Sequence, residues 1–479
     1  MLVSTLIIGA LFACRTSAAL YYPDVQTSLL EHVLVDNWGA YASNFSSAIT
    51  PCNRYVTQTG DAAVKSGRTT AAQWIRVLFH DFVTANVTAG TGGVDASIGF
   101  ETARGENSGS AFNDSFTFWR PFVNDAVSMA DLVALGTVMS NNLCGGSNLP
   151  YRAGRVDATS ADPTTGVPAP ETDLDTTLLF FERAGFDRTD AIGLTACGHT
   201  MGSVHHVLDD AKGGFPDVVD ASAVTSNNTN GGINFDSTRA AFDPVVVQEY
   251  LSWTGQKGGP LVTTNNVTTR SDLRLYESDN NATMRSLLAQ GAGFLDTCVD
   301  LMGRAMNTVP SSVHLSQPIT ALPVKPVNVT YSFGADGKLM LSGRIRVGQI
   351  SLRNANTFSI SGSGISTQSF AIQGQNFVVP NLTTLSGLTV NATIASSAHA
   401  CNAFTVRVAA PHAQSGTLAP RIVEKDVSVA KVANRTDGYT ICHGVIQLDN
   451  VPTGVVSVKA LVGGQVIDTL MVNGGSAGW

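Results

Sequence analysis

The chain has 479 residues, is 43% hydrophobic and 14% charged, and carries a net charge of −8. That composition excludes a disordered chain, and an acidic balance without a basic patch argues against a nucleic-acid partner, since phosphate binding needs a basic surface. The length exceeds one compact core, so two domains are expected.

The opening run from Leu2 to Cys14 is apolar and short, and Arg15, Thr16, Ser17, Ala18 and Ala19 follow it. This predicts a signal peptide over 1–19. The alternative, a membrane anchor, needs a longer apolar run, and no later stretch resembles one, so no membrane partner is expected. Asn-X-Ser/Thr sequons at Asn44, Asn86, Asn113, Asn227, Asn266, Asn281, Asn328, Asn381, Asn391 and Asn434 suit a glycosylated, secreted, extracellular protein. Loss of the leader removes Cys14. Cys52, Cys144, Cys197, Cys298, Cys401 and Cys442 remain, an even set that suggests disulfides. None has CxxC spacing, which argues against a zinc site.

Apolar residues recur at helical spacing over Thr70–Asp81, Asp125–Asn142, Leu174–Ala184, Arg188–His206 and Met284–Met306. From about Leu315 the texture changes to short alternating runs (KLMLSGRIRVGQI, FAIQGQNFVV, AFTVRVAA, GVVSVKALVGG) separated by Gly, Ser and Pro, an all-β pattern. The fold class expected is therefore multidomain: a mainly α-helical domain over 20–312, a linker over 313–326, and a β-sandwich-like domain over 327–479.

Arg76, Phe79 and His80 share one helix face at i, i+3 and i+4. A lone histidine there is more often a core residue. The trio suits peroxide heterolysis, which needs a base that moves a proton between the two oxygens and a permanent cation beside the developing negative charge. His199 ends the apolar run AIGLTACGHTMG, where Ala196 and Gly198 leave room for a flat macrocycle. Alone, it reads equally as a core histidine or a zinc ligand.

The segments IRVLFHDF, GGVDAS, ETARGEN, SMADLVALG, GHTMG and FDSTRAAFD, in that order, resemble the plant, fungal and bacterial haem peroxidase superfamily, most closely its secreted fungal (class II) branch. The resemblance spans about Thr70 to Met306. It implies haem b, H2O2 as oxidant and small phenolic or aromatic donors oxidised in one-electron steps by a ferryl porphyrin-radical intermediate. Arg76, Phe79 and His80 look like the distal trio, and Asn107, six residues after Glu101, like the partner of the distal histidine. His199 looks like the axial iron ligand and Asp279, in YESDNN, like the carboxylate that accepts its N–H. Phe235 stands where a tryptophan could hold a radical, which implies that the second oxidising equivalent starts on the porphyrin. Two calcium ions are also implied. Asp81, the carbonyl of Gly93, Asp95 and Ser97 resemble one site; Thr200, Asp236, Thr238, the carbonyl of Ala241 and Asp243 resemble the other. Asp/Ser/Thr-rich turns are the simpler reading of either stretch alone. Cys52 with Cys144 resembles a family bridge. Cys401 with Cys442 shares the β region, and Cys197 and Cys298 remain to pair.

Manganese-oxidising members use carboxylates at positions that correspond to Thr69, Gln73 and His205, and none is acidic here. Lignin-attacking members use an exposed tryptophan where this chain has Leu194. A relay through Trp119, Trp253 or Tyr250 competes with packing, the favoured reading. The long stretch from Val204 to Ile233 reads as a surface insertion rather than a loop shaping access. The β domain carries no legible motif; it either docks to a cell wall or polysaccharide or extends stability. The chain is expected to act as a monomer. A wall- or polysaccharide-binding protein on a peroxidase scaffold is the alternative function, and a zinc hydrolase lacks ligand spacing.

Overall fold

The computed structural model describes residues 24–38, 42–57, 60, 65–107, 109–162, 166–207, 214–322, 324–333, 339–347, 357–362, 365–371, 388–396, 400–434, 440–448 and 455–473. The leader expected over 1–19, Asn381, and most of FAIQGQNFVV lie outside them.

Helices α1 (Val25–Val35), α2 (Thr70–Phe82), α3 (Ala111–Trp119), α4 (Met129–Leu143), α5 (Leu174–Arg183) and α6 (Arg188–Gly198) form the first part of the helical region. Strands β1 (Ser203–His205) and β2 (Gly232–Asn234) pair antiparallel, and α7 (Val245–Ser252), α8 (Pro260–Thr263), α9 (Ser271–Tyr276), α10 (Ala282–Ala289) and α11 (Phe294–Met306) follow. A single apolar core holds them together, with Trp74, Trp119, Phe45, Phe82, Phe112 and Phe116 fully buried.

Local chemistry sets the helix ends. The helix expected from Asp125 starts only at Met129, because Ser128 Oγ accepts the Asp131 N–H and the Asp157 carboxylate accepts those of Met129 and Ala130. The helix expected through His206 stops at Gly198. Asp187 and Asp190 form its capping box, His199 is its last residue to donate back into the helix, and the chain then turns into β1. The run from Met284 to Met306 is two helices, separated at Gly291–Gly293 where Gly291 takes φ +56°.

The β region begins at Val324, within the expected linker, with the hairpin β3 (Val324–Phe333) and β4 (Leu339–Val347). A second hairpin joins β5 (Thr357–Gly362) and β6 (Ile365–Ala371). Strand β7 (Leu388–Ser396) lies in a three-stranded sheet, order β10-β11-β7, with β10 (Ala430–Asn434) and β11 (Thr440–Leu448). Strands β8 (Phe404–His412), β9 (Arg421–Ser428), β12 (Val455–Val462) and β13 (Gln465–Asn473) make a four-stranded sheet, order β13-β12-β8-β9. Phe404, Val406, Val408 and Val456 of the larger sheet share an apolar cluster with Cys442 of the smaller. All three expected cysteine pairs are bonded: Cys52–Cys144, Cys197–Cys298 and Cys401–Cys442.

The β region is clamped to the helical one. Buried Lys325 Nζ donates to Glu31 Oε2 at 2.8 Å, and Arg346 donates to Asp36 at 2.7 Å and also to Glu31. Elsewhere Lys459 pairs with Asp125, and the Leu418 N–H donates to the Gly99 carbonyl at 3.2 Å.

Candidate active site

A cavity of about 690 Å³ lies between α2 on one side and α6 and α9 on the other. Arg76, Phe79 and His80 line it from α2, His199 from the end of α6, and Asp272 and Leu275 from α9. Its size is that of a site for a large organic ligand.

On the α2 side, His80 Nδ1 lies 2.7 Å from Asn107 Oδ1, and Asn107 Nδ2 donates to the Glu101 backbone carbonyl at 3.0 Å. With its amide nitrogen committed, Asn107 presents only an acceptor, so Nδ1 carries the proton. Arg76 Nε donates to His80 Nε2 at 3.3 Å, which fixes the same tautomer from the other end. Burial first, and then the Arg76 guanidinium, push the imidazole down to about 3. His80 is therefore a neutral base across the ordinary pH range. Arg76 is oriented by the Glu106 carbonyl at 3.3 Å and stacks over Phe112, whose ring also packs 5.2 Å from His80.

On the opposite side, His199 Nδ1 lies 2.7 Å from Asp272 Oδ2. The carboxylate expected in this role, Asp279, is elsewhere. It caps α10, accepting the N–H groups of Ala282 and Thr283 at 2.9 Å each and the Thr283 hydroxyl at 2.5 Å. The two aspartates stand seven residues apart, and α9 presents the first of them to α6. Asp272 is only 3% exposed, so its carboxylate is held away from bulk water. Phe235 stacks flat on the His199 ring, centroids 4.1 Å apart and planes within 5°. Nδ1 is thus committed, the ring plane is clamped, and Nε2 is the nitrogen left for a metal.

Two carboxylate-bearing turns adjoin the two histidines. Asp81 accepts the N–H groups of Asp95, Ala96 and Ile98, and Asp95 accepts that of Ser97. Burial and then Asp95 raise Asp81 well above the usual carboxylate range; burial and then Asp162 push Asp95 up to about 6. Gly93 sits at φ +99°, with the Thr308 carbonyl 2.5 Å from where a Cβ would be, so only glycine fits. In the second turn, Thr238 Oγ1 donates within 3.1 Å of both Asp236 and Asp243, while Thr200 bonds to the backbone of Asp243 and the Ala241 N–H to the Thr238 carbonyl. Asp236 Oδ2 is buried without a partner, and burial, followed by Asp243 and Glu249, pushes Asp236 up to about 7. Among the described residues, no group of three or more His, Cys, Asp or Glu is placed to hold a metal ion. Each turn offers two carboxylates, and hydroxyl and carbonyl oxygens would complete an oxygen shell of the kind calcium takes.

Thr69, Gln73 and His205 all line the cavity. Thr69 Oγ1, Gln73 Nε2 and His205 Nε2 are buried without a hydrogen-bond partner in the protein. Burial first, then Arg68, push His205 down to about 3, and Arg76 and Arg239 act in the same direction. Leu194 is buried in the cavity wall. Trp119 packs against Trp74 and Phe116, as favoured from sequence; Tyr250 is buried with its hydroxyl on Asn281, and Trp253 is 54% exposed. The stretch from Val204 to Ile233 is not a remote insertion. Gly214–Val218 line the cavity, and Val204, Val218, Val219, Phe235 and Leu261 form an apolar cluster beneath them.

Residues 56–291 match the family model described as peroxidase. That segment is a peroxidase-family domain. The peroxidase domain has relatives in plants and fungi. A WSC domain-containing protein of Arthroderma benhamiae is 37% identical over 354 residues, 72% of this chain and 46% of that protein. L-ascorbate peroxidase 5, peroxisomal, of Arabidopsis thaliana is 33% identical over 153 residues, 32% of this chain and 54% of that protein. Manganese peroxidase H4 of Phanerodontia chrysosporium is 30% identical over 190 residues, 38% of this chain and 44% of that protein. The chain spans about half the length of these relatives.

Exchange of the two aspartates separates their roles in the peroxidase domain. Asp272→Asn should weaken peroxidase activity by about 10–100-fold, the usual cost of losing such a partner. Asp279→Asn should leave activity unchanged and lower thermal stability by about 1 kcal/mol through the lost cap. Equal activity losses in both variants would refute the assignment of Asp272.

Proposed function

We propose that the chain is a secreted haem peroxidase that uses H2O2 to oxidise small phenolic or aromatic donors, most like the fungal class II branch. The observation that carries this reading is the pair of histidines across the cavity, each with one ring nitrogen committed to its own partner, Asn107 or Asp272.

Haem b fits the residues present. His199 Nε2 would hold the iron. The buried, partnerless donors Thr69 Oγ1 and Gln73 Nε2 would meet the macrocycle's carboxylates, and Leu194, Phe235 and Leu275 would meet its apolar parts. When bound, haem supplies the iron that accepts oxidising equivalents from peroxide and passes them to donors. The chain supplies the acid–base chemistry. His80 Nε2 takes the proton from the near oxygen of H2O2 and returns it to the departing one, so that water leaves. Arg76 stabilises the charge on that oxygen during O–O cleavage. Asn107 holds the Nδ1 proton in place throughout, which keeps Nε2 basic. Asp272 strengthens the donor character of His199.

The absence of acidic side chains at positions 69, 73 and 205, and of an exposed tryptophan at 194, favours a small donor at the cavity mouth over Mn(II) or a bulky polymer. Secretion is supported by the leader-like start, the sequons and the disulfides. Among the described residues no helix is long and apolar enough to cross a membrane. The intact set of Arg76, His80 and Asn107 disfavours a wall-binding protein on a degenerate scaffold. An absorption spectrum of the haem-loaded protein before and after one equivalent of H2O2 tests the proposal; a spectrum that peroxide leaves unchanged overturns it.

Calcium fits both turns, where each ion would relieve the repulsion within a carboxylate pair. A ligand present at 100 times its Kd adds about 2.7 kcal/mol, and a domain of this size shifts by roughly 2–4 °C per kcal/mol. Chelation should therefore lower the melting temperature by roughly 5 °C or more, and added Ca2+ should restore it. A protein free of calcium by elemental analysis and indifferent to EDTA contradicts both sites.

A further inference from the structure

We propose that the C-terminal β domain is a strut for the distal wall of the haem cavity, with Leu418 acting as a positioning residue for His80. The proposal rests on the peroxidase reading above for its catalytic consequence, though not for its structural one.

The loop between β8 and β9 reaches out of the β domain and into the core of the peroxidase domain. Ala419, only 3% exposed, joins that core, and Leu418 of the loop and Ile422 at the start of β9 pack against it, partly buried. The loop is shaped for this. Thr417 Oγ1 accepts the Ala419 N–H at 3.1 Å and Gln414 Nε2 donates to the Ala419 carbonyl at 3.3 Å. At its tip the Leu418 N–H donates to the Gly99 carbonyl at 3.2 Å. Gly99 leaves no slack: a Cβ there would lie 3.0 Å from the Phe116 ring and 3.4 Å from Thr417 Oγ1.

Gly99 stands at the start of the short path that orients the distal base. It lies in the 3-10 turn Ser97–Phe100, whose Ile98 N–H donates to Asp81, the neighbour of His80. Two residues on, the Glu101 carbonyl accepts from Asn107 Nδ2, and Asn107 Oδ1 accepts from His80 Nδ1. Phe116 belongs to α3, the helix that also carries Phe112 against both His80 and Arg76. The β domain thus touches the 97–107 segment directly at Gly99, which sits between Thr417 of the β domain and Phe116 of α3. The second clamp, Lys325 and Arg346 on Glu31 and Asp36, grips α1, which lines no part of the cavity.

The test uses the full chain. Leu418→Ala removes the side-chain anchor; Leu418→Pro also removes the N–H given to Gly99. Arg346→Ala loosens the other clamp. Amide hydrogen exchange, measured with and without haem, should rise at least 10-fold over residues 97–107 in both Leu418 variants, and α6 should keep its protection. The bimolecular rate with H2O2 should fall about 10-fold, with donor KM unchanged and the acid limb of the rate profile displaced. Arg346→Ala should change none of these. If exchange over 97–107 stays at the wild-type level in folded Leu418→Ala, or if Arg346→Ala raises it equally, the strut is wrong. If exchange rises as expected but no variant, nor the wild type, reacts with peroxide, the strut stands and the peroxidase reading fails.

Discussion

Replacing His199 with alanine should leave a folded chain that binds haem b too weakly to show a Soret band after gel filtration. The reason is local. Three imidazoles line the cavity, and His80 already has Nε2 engaged by Arg76. His205 is held by the Gly67 backbone, whereas His199 combines an Nδ1 committed to the Asp272 carboxylate, a ring plane clamped by Phe235 and an uncommitted Nε2. Loss of the ring removes the nitrogen that would hold the iron and leaves Asp272, 3% exposed, without its partner. The fold itself should persist, because the Cys197–Cys298 bond and the capping box of α6 remain. Circular dichroism establishes folding and the Soret band reads the site. A normal Soret band would falsify the axial assignment.

His80→Ala should have the opposite profile: normal haem binding and a peroxide step slowed by about 10²–10⁴-fold or more, the range for loss of a general acid–base group together with its positioning. Stopped-flow mixing with H2O2 measures it directly, and an unchanged rate would remove His80 from the mechanism. The wild-type pH profile provides an independent check. The reaction needs neutral His80. An imidazole in water would protonate near 6.5, but burial and Arg76 lower this one to about 3. The bimolecular rate should therefore stay level as pH falls through 6 and 5, and halve only near pH 3. A half-point near 6.5 would mean that the site is wetter than the structure shows. The same sign governs stability: the unfolded chain takes up a proton near 6.5 that the folded one refuses, so this contribution is full above 6.5 and fades as pH falls towards 3.

Much of this site is written locally. Arg76 and His80 lie one turn apart on a helix whose apolar spacing is unambiguous, so their shared face follows from 3.6 residues per turn. The end of α6 at Gly198 is less legible, because the stop comes from the turn that leads into β1. Asp272 was missed for a different reason. It and Asp279 are both acidic residues in one short stretch, RSDLRLYESD, and nothing periodic distinguishes them. What separates them is that α9 packs over α6 while Asp279 satisfies the open N–H groups of α10. Such a choice depends on elements 73 residues apart in the chain. The stretch after Val204 was underrated on similar grounds. Its glycines and polar residues read as surface, yet Phe215 and Val218 fold back under the cavity.

The amino-acid sequence by itself determined the kinds of groups available: a base and a permanent cation on one helix face, a second histidine at the end of another, aspartates beside each, and six cysteines beyond Cys14. Those are consequences of residue type and short spacing. Only the tertiary structure decided which aspartate serves His199, which polar atoms are stranded at the cavity edge, and where the β domain touches the distal wall. Each of these turns on which surfaces are buried against each other, because burial removes water as a partner and makes a specific protein or ligand contact decisive.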